Sequence, residues 1–586
     1  MSYKIKMLQL FFVTTILFAC NKNKLNEPAL GSLGETAIAN KKGVEGLLIG
    51  AYTMLDGISA VEFNFGAAGS NWIYGSICGT EAYKGGPDFS NDNPDISSLE
   101  IFDANPYNSD LAEKWAAVYD GVARTNEVLR VMRKATDMST ADTIEVKAEA
   151  VFLRAFYHFE AKKIWNSIPY IDESITVGAN NFHVPNDTSW LHIENDLIYA
   201  MSNLPAMQDA AGRANKYAAE TLLAKAYMFE HKYILAQSLL QDIIQNGETA
   251  SGVKYALYKN YHDNFDPAYK NHSESVFAAQ ESINDVSVPN IGDFLNFPTN
   301  VGYGFFQPSQ YLVNHFKTDA ITGLPDLDNF NVVDVKNDEA LQSTDPFTPD
   351  TGTLDPRLDW TVGRRGIPYL DWGNHPGYDW IRNQAFGGPY SPKKNSITQS
   401  ENDLYTNQAW GSPTTNANNI NLIRFADVLL WAAEVEVEIG SLDKAEQYVN
   451  MIRTRAANPD GFVHTYIDSN DPSKGFTNIP AANYFIKAYP DGYFASHGRD
   501  YARKAVRYER MLELGMEGQR FFDLVRWGTA DIEIHKYLEK EQNLRQYLQD
   551  ANFIKNRNEY FPIPQKQIDL SADINGVPAM KQNPGY

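Results

Sequence analysis

Two distant stretches of this chain repeat one pattern of small and large residues. In each stretch the pattern follows a helix, a short turn and a second helix. Small residues at these positions let the two helices approach, and the larger ones fill the groove between them. The pattern therefore predicts two helical hairpins. Its residues are Leu223, Ala224, Tyr227, Ala236, Leu240 and Ile243 in the first stretch, and Ala432, Ala433, Glu436, Ala445, Val449 and Ile452 in the second.

The spacing within these hairpins is typical of a tetratricopeptide unit, in which helix pairs stack on their neighbours. Because the two units lie far apart in sequence, we interpret the chain as a helical scaffold that a long insertion interrupts. Apolar residues at helical spacing predict further helices over 42–56, 111–133 and 143–165. The predicted fold class is therefore mostly α, with few short strands.

The insertion, at about 247–420, is dense in Gly, Asn, Asp, Pro and aromatic residues. This composition predicts loops with a few short strands and helices. A segment of this length without regular helices is more often functional than idle. The region 57–106 is loop-rich in the same way. We therefore expect these loops to form the ligand face.

The amino terminus has the parts of a secretory signal. Two lysines precede an apolar run over 7–18, and the small residue Ala19 stands directly before Cys20. The run is shorter than the roughly 20 apolar residues of a membrane-spanning helix. This arrangement fits a bacterial lipoprotein signal, in which acyl chains on the cysteine hold the protein to a membrane. We predict a signal peptide at 1–19, lipidation of Cys20 and a polar tether at about 20–34. An ordinary signal peptide with a chance cysteine is the alternative.

Charge and cysteine content limit the function further. The chain has 586 residues, 51 of them basic and 73 acidic, which gives a net charge of −22. Such a chain lacks the basic excess that nucleic-acid binding requires. The chain has two cysteines, Cys20 and Cys78, and we interpret the second as a buried, inert thiol. No histidine pair or glycine-rich loop has the spacing of a metal or phosphate site, so no cofactor is expected.

Aromatic residues make up 13% of the chain, and many lie in Gly- and Asn-rich segments. Such rings can cover the apolar face of a sugar while nearby Asn, Asp or Arg side chains bind its hydroxyl groups. We expect at least two of the candidates to stack on a ligand and the others to anchor loops. The candidates form three loop groups: Trp72, Tyr74 and Tyr83; then Asn300, Tyr303 and Phe305; then Trp360, Arg364, Tyr369, Trp372 and Trp380.

The carboxy-terminal third contains a dense run of charged and aromatic residues. The segment 507–514 reads RYERMLEL, and 517–528 reads EGQRFFDLVRWG. An acid–base site is one interpretation of these glutamates and arginines. The interleaved Phe, Leu and Trp residues favour burial instead, and buried charges must be paired. We therefore predict that these charges form ion pairs that hold helices together.

Together these motifs resemble those of the SusD/RagB family of Bacteroidetes outer-membrane lipoproteins. The resemblance runs from Cys20 to Tyr586 and divides the chain into a helical part at 20–245 and a SusD/RagB-like part at 246–586. Further matching segments are FLRAFY at 152–157 before Ile168-Pro169, Trp115 with Tyr119 and Asn126, RFADVLL at 424–430, YFPIP at 560–564 and QNPGY at 582–586.

The resemblance implies a non-enzymatic protein that captures a glycan, or in some members a peptide, at the cell surface. It implies that the ligand passes to a TonB-dependent SusC-like transporter in the outer membrane. Two alternatives remain open. A helical glycosidase would need a pair of carboxylates about 5 or 6.5–9.5 Å apart, and no motif selects one. A scaffold that binds only proteins would not need the long aromatic insertion.

Overall fold

The computed structural model describes residues 35–57, 65–175, 183–187, 190–283, 293, 304–407 and 415–586. The predictions for the signal peptide, the tether, Cys20, Asn300 and Tyr303 lie outside these residues. The α-helices are α1 (Glu35–Ile38), α2 (Lys41–Tyr52), α3 (Pro94–Glu100), α4 (Ser109–Met132), α5 (Thr140–Trp165), α6 (Trp190–Asn203), α7 (Lys216–Phe229), α8 (Tyr233–Asn246), α9 (Gln310–His315), α10 (Leu358–Thr361), α11 (Gln384–Gly387), α12 (Asn402–Tyr405), α13 (Phe425–Ile439), α14 (Leu442–Ala456), α15 (Tyr493–His497), α16 (Arg499–Leu514), α17 (Arg520–Arg526), α18 (Ala530–Leu544) and α19 (Gln565–Leu570).

The predicted hairpins are α7 with α8 and α13 with α14, and all twelve residues of the repeated pattern are buried. Helices α4 to α8 pack in succession, each against the next. The stack then continues across the insertion, because α8 packs against α13 and Gln237 donates to Glu436 at 3.2 Å. The two units are therefore neighbours in space. The other helices predicted from periodicity correspond to α2, α4 and α5.

Between the hairpins the described chain consists of loops with short helices and strands, as the composition predicts. The strands pair antiparallel in twos: β1 with β3, β2 with β8, β4 with β5, β6 with β7 and β9 with β10. The mostly α fold class is thereby confirmed. The strands are β1 (Ala82–Gly85), β2 (Ser275–Ala279), β3 (Phe305–Pro308), β4 (Val362–Gly363), β5 (Ser391–Pro392), β6 (Thr406–Asn407), β7 (Thr415–Asn416), β8 (Ile420–Arg424), β9 (His464–Tyr466) and β10 (Phe476–Pro480).

The charged carboxy-terminal motif is largely an internal ion-pair network. Arg510 binds Asp427 at 2.6 Å and Asp523 at 2.8 Å. Arg526 binds Asp523 at 2.8 Å and Glu434 at 2.6 Å. These side chains are buried, so the prediction that the charges hold helices together is confirmed for them.

For Arg507 the same prediction is wrong. Within the described part of the chain, no carboxylate lies within ion-pair distance of Arg507, and its guanidinium instead lies 4.7 Å from the centre of the Trp527 ring. Arg520 is intermediate, because its nearest carboxylate oxygen, on Glu533, is 3.8 Å away.

Cys78 is a free, buried thiol, and burial raises its pKa well above the usual range. The thiolate is therefore disfavoured, as expected of an inert cysteine. Across the described ranges, no helix combines the length and the apolar character needed to cross a bilayer. In the same residues, no group of His, Cys, Asp and Glu is arranged to hold a metal ion.

Candidate functional site

The third predicted loop group is built on a hairpin that follows β4. Beyond the short β4–β5 pair, His375 donates its N–H to Ile367 O at 3.0 Å. Closer to the tip, Tyr369 donates its N–H to Gly373 O at 2.9 Å. Gly373 has φ of 105°, a conformation that favours glycine. Trp372 therefore stands at the tip of a hydrogen-bonded turn.

The Trp372 side chain is held by one edge. Its indole N–H donates to Ile397 O at 2.8 Å, and the residue is half-buried. No other aromatic ring in the described residues packs against it. The exposed residues Gln399 and Ser400 lie next to this turn, since their N–H groups donate to Asp371 at 2.5 and 3.0 Å. Part of a fixed indole is thus exposed beside polar groups.

Tyr369 and Lys393 anchor the base of this hairpin. Tyr369 is fully buried, and its hydroxyl donates to Pro392 O at 2.5 Å. The Lys393 ammonium donates to Asp359 O at 2.5 Å and to Pro368 O at 2.7 Å. Burial lowers the pKa of Lys393 to about 7. These internal contacts make the base rigid and leave the tip as the part that meets solvent.

Trp380 lies beside the hairpin. Its ring meets Tyr369 edge to face at 5.5 Å and His375 at 5.2 Å. Trp380 is half-buried, and the neighbouring Tyr378 is 41% exposed. The two residues add a second exposed aromatic surface to the same segment.

Trp360 has more of its surface engaged by the protein. His262 stacks on its ring with centres 4.4 Å apart and planes at 15°. Its indole N–H donates to Gly461 O at 2.7 Å, and the Lys393 ammonium lies 5.1 Å from the ring centre. This half-buried tryptophan therefore serves the packing of the loops.

The first predicted loop group lies in the core. Trp72, Tyr74 and Tyr83 are at most 1% exposed. The Trp72 ring packs against Phe306 at 5.6 Å, the Tyr74 hydroxyl donates to Asp110 O at 2.8 Å, and the Tyr83 hydroxyl donates to Glu541. These residues present no ring surface to a ligand in this structure. Pairing of β1 with β3 brings Gly85 opposite Phe305, the last residue of the second predicted loop group. Phe305 is buried as well, so it lies inside the protein with the first group.

Arg364 is also internal. It is 3% exposed, and its Nε and Nη2 donate to the two oxygens of Asp359 at 2.6 and 2.9 Å. Asp359 is thereby engaged, as is Asp371, which accepts the two backbone N–H groups beside Trp372. Both carboxylates hold the loops in place, which favours a positioning role over acid–base chemistry.

Phe476 is an exposed aromatic residue that was not among the candidates. It lies in β10, is 45% exposed and stacks on Tyr466 at 5.0 Å. The Tyr466 hydroxyl donates to Leu370 O at 2.7 Å and accepts the N–H of Gly373 at 3.1 Å. The β9–β10 hairpin is therefore tied to the Trp372 turn. The sequence feature that could have indicated Phe476 is its place in the Gly- and Pro-containing segment 475–480, but this segment lies outside the predicted insertion.

Two family profiles match this chain. The profile described as SusD family matches residues 247–586, and the profile described as starch-binding associating with outer membrane matches residues 83–228. The mostly helical fold with few short strands fits this class of protein. The chain belongs to the SusD family.

Similar proteins cover nearly the whole chain. SusD-like protein P25 from Formosa agariphila is 23% identical over 561 residues, which are 92% of this chain and 93% of the relative. A crystal structure of a SusD superfamily protein from Bacteroides vulgatus has a TM-score of 0.65 at 21% identity, covering 93% of this chain and 99% of the other. Surface glycan-binding protein A from Bacteroides thetaiotaomicron, solved in complex with laminarihexaose, has a TM-score of 0.63 at 20% identity, covering 92% and 99%. At these identities the solved structures establish the fold.

Proposed function

We propose that this protein captures a glycan through an exposed aromatic surface formed by Trp372, Tyr378, Trp380 and Phe476, here called the tryptophan face. The observation that carries the proposal is the geometry of Trp372. Its indole is fixed through its N–H while part of the ring stays exposed. A ring that is ordered before binding loses little conformational entropy when a sugar stacks on it.

The similar proteins support this class of ligand. A laminarin binding SusD-like protein has a TM-score of 0.57 with this chain at 20% identity, covering 93% of it and 100% of the other chain. Surface glycan-binding protein A was solved with laminarihexaose. The identity of the glycan that this chain binds depends on its own loops.

We further propose that binding occurs without cleavage. Asp359 and Asp371, which lie at the base and the tip of the hairpin, are engaged in hydrogen bonds to the protein. The glutamates of the carboxy-terminal motif lie in the buried ion-pair network. A general acid needs an environment that holds its proton next to the substrate, and these carboxylates serve structure instead.

The proposed setting is the outer membrane, with acyl chains on Cys20 as the anchor and a TonB-dependent SusC-like transporter as the partner that receives the glycan. The family description, which associates these proteins with the outer membrane, supports this setting. The apolar run that ends just before Cys20 supports the anchor.

The test uses soluble protein that begins after Cys20. Glycan arrays and affinity gels identify a ligand, and the Trp372→Ala variant is then expected to bind it at least about tenfold more weakly. Phe476→Ala is expected to weaken binding less. Tyr107→Ala, which removes a ring that is 81% exposed outside the tryptophan face, is the matched control and should bind normally.

Product analysis of the bound glycan separates capture from catalysis. Unchanged glycan supports capture, whereas shortened products would establish a glycosidase. Wild-type affinity in the Trp372→Ala variant, with the fold intact, would show that the ligand binds elsewhere.

A further inference from the structure

A cavity of about 400 Å³ lies between α9, α16, α17 and α18. Its volume is within the range of about 300–1,000 Å³ that is usual for small-molecule sites. Phe330, Leu524, Trp527 and Ile532 supply apolar walls. No residue of the tryptophan face lines it, so the cavity is a separate feature of the molecule.

Charges around this cavity have a positive excess in a chain whose net charge is −22. Two of the basic residues are paired: Arg503 binds Asp500 and Glu438, each at 2.6 Å, and Lys504 binds Asp328 at 2.5 Å. The basic residues that line it are Arg503, Lys504, Arg507, Arg520 and Lys536, and the acidic residues are Asp328, Asp500 and Glu533.

The other three basic side chains have donor groups that the protein leaves unused. Arg507 lies over Trp527, and its buried Nε has no hydrogen-bond partner in the described chain. Arg520 is 7% exposed, its Nε is unpartnered in the same way, and the nearest carboxylate oxygen is 3.8 Å away. The Lys536 ammonium lies 4.9 Å from the centre of the Phe330 ring, with no carboxylate of the described residues within ion-pair distance.

Arginines of the same carboxy-terminal motif differ in their partners. Arg510 and Arg526 each bind two carboxylates, whereas Arg507 and Arg520, from the same run of sequence, line the cavity with Trp527 between α16 and α18. A buried guanidinium is costly unless an anion accepts its hydrogen bonds. Burial accordingly lowers the pKa of Arg507 from its usual value. An oxyanion in the cavity would supply the missing acceptors.

We propose that this cavity binds the oxyanion of an acidic saccharide unit, a uronate carboxylate or a sulfate ester. Arg507, Arg520 and Lys536 bind the anion, while Trp527 and Phe330 contact the sugar body. A planar guanidinium matches either oxyanion, and the apolar walls distinguish a sugar-borne anion from a free one. The inference rests on the proposed function only for the saccharide class of the ligand.

The test measures binding of glucuronate and glucose 6-sulfate to the soluble protein by calorimetry and saturation-transfer NMR, with glucose and inorganic sulfate as comparison ligands. Wild-type protein is expected to bind an acidic sugar more tightly than either comparison ligand. Arg507→Gln is expected to weaken that binding about tenfold or more, since it removes a charge-assisted hydrogen bond. Arg520→Gln should act in the same direction.

Two controls separate this site from other effects. Arg130→Gln removes the same charge from α4, where the residue pairs with Glu127, and should leave binding unchanged. Trp372→Ala should also leave acidic-sugar binding unchanged, even where it abolishes capture at the tryptophan face. Failure of the proposed function and failure of this inference are therefore distinguishable.

The Arg507 side chain makes no hydrogen bond within the described chain, so its replacement is expected to preserve the fold, which thermal unfolding checks. Equal affinity of Arg507→Gln and wild type would overturn the inference. So would equal affinity for glucose 6-sulfate and inorganic sulfate, since the cavity would then hold a free anion only. Absence of acidic-sugar binding by the wild type would overturn it as well.

Discussion

Arg424 in β8 donates from Nη1 to Glu513 in α16 at 2.6 Å, and both side chains are at most 2% exposed. Glu513 also binds Arg455 of α14 at 2.5 Å and Arg357, just before α10, at 3.0 Å. Burial opposes ionisation of Glu513, but Arg455, Arg424 and Arg357 outweigh it and hold its pKa well below the usual range. One carboxylate therefore joins the second hairpin to the insertion.

Removal of this carboxylate should be costly. Glu513→Gln leaves three arginines in the core without their shared anion, and we expect a loss of about 3–5 kcal/mol in the free energy of unfolding. Urea unfolding measures it. Asp468→Asn is the control, because Asp468 pairs with Lys474 at a largely exposed site and its loss should not measurably change stability. A similar small effect for Glu513→Gln would contradict the structural role.

Acid should destabilise the protein through the same network. The pKa values of Glu513 and Glu517 are lower in the folded protein than the usual 4.5, because their arginine and lysine partners outweigh the effect of burial. The unfolded chain therefore takes up protons first as the pH falls. Their contribution to stability is present above about pH 5 and is lost progressively at lower pH. Unfolding free energies should be measured from about pH 6 down to about pH 3, a range that brackets the usual carboxyl pKa values. They should fall less steeply with decreasing pH in Glu513→Gln than in wild type.

Glu81 should give the opposite dependence. Burial raises the pKa of Glu81 to about 8, and its side chain accepts hydrogen bonds from Ser76 at 2.5 Å and from Met516 N at 3.2 Å. The contribution of Glu81 to the free energy of unfolding is therefore fully present below the unfolded pKa of about 4.5, and it is lost as the pH rises toward 8.

The variant Glu81→Gln resembles the protonated acid and should remove this loss, which is at most about 1.4 kcal/mol per pH unit. Stability profiles from pH 5 to about pH 8 for wild type and variant test the expectation. Parallel profiles would mean that Glu81 ionises normally inside the protein.

Two glycines should respond oppositely to alanine. A Cβ on Gly75 would lie 1.8 Å from Gly518 O, so Gly75→Ala forces apart two backbone segments and should cost about 1–3 kcal/mol or more. Gly46 is exposed in α2 and has nothing within 4 Å of such a Cβ. Gly46→Ala should therefore stabilise the protein by about 0.5–1 kcal/mol. Thermal and urea unfolding of both variants, side by side, check the pair.

The scaffold was predictable from the sequence because helix packing leaves a local signature. The spacing of Leu223, Ala224 and Tyr227, repeated at Ala432, Ala433 and Glu436, follows from two helices in contact. The burial of Trp72 has no such signature. It depends on Phe306, which lies more than two hundred residues away and is brought close by the β1–β3 pair. Local composition around Trp72 indicates a loop without telling which side of the loop faces the core.

The same limit applies to the arginines of the carboxy-terminal motif. Arg507 and Arg510 are less than one helical turn apart in α16. Arg510 meets Asp427 of α13, whereas Arg507 meets a cavity. The spacing within α16 could not predict that Arg507 and Arg510 have different surroundings. The difference depends on which residues of the neighbouring helices face each of the two arginines.

The junction between the insertion and the scaffold has a consequence for how such proteins diversify. Phe425 at the start of α13 donates its N–H to Glu274 O at 2.8 Å, and β2 pairs with β8 directly beyond. The start and the end of the insertion are thus joined to each other by the β2–β8 pair, next to the helical stack. The entropic cost of closing a loop grows only slowly with its length. Exposed turns of the insertion that do not pack on the helices, such as the turn that bears Trp372, can therefore be lengthened, shortened or exchanged at little cost to the scaffold. The helices can therefore stay constant while the exposed loops proposed to meet the ligand vary.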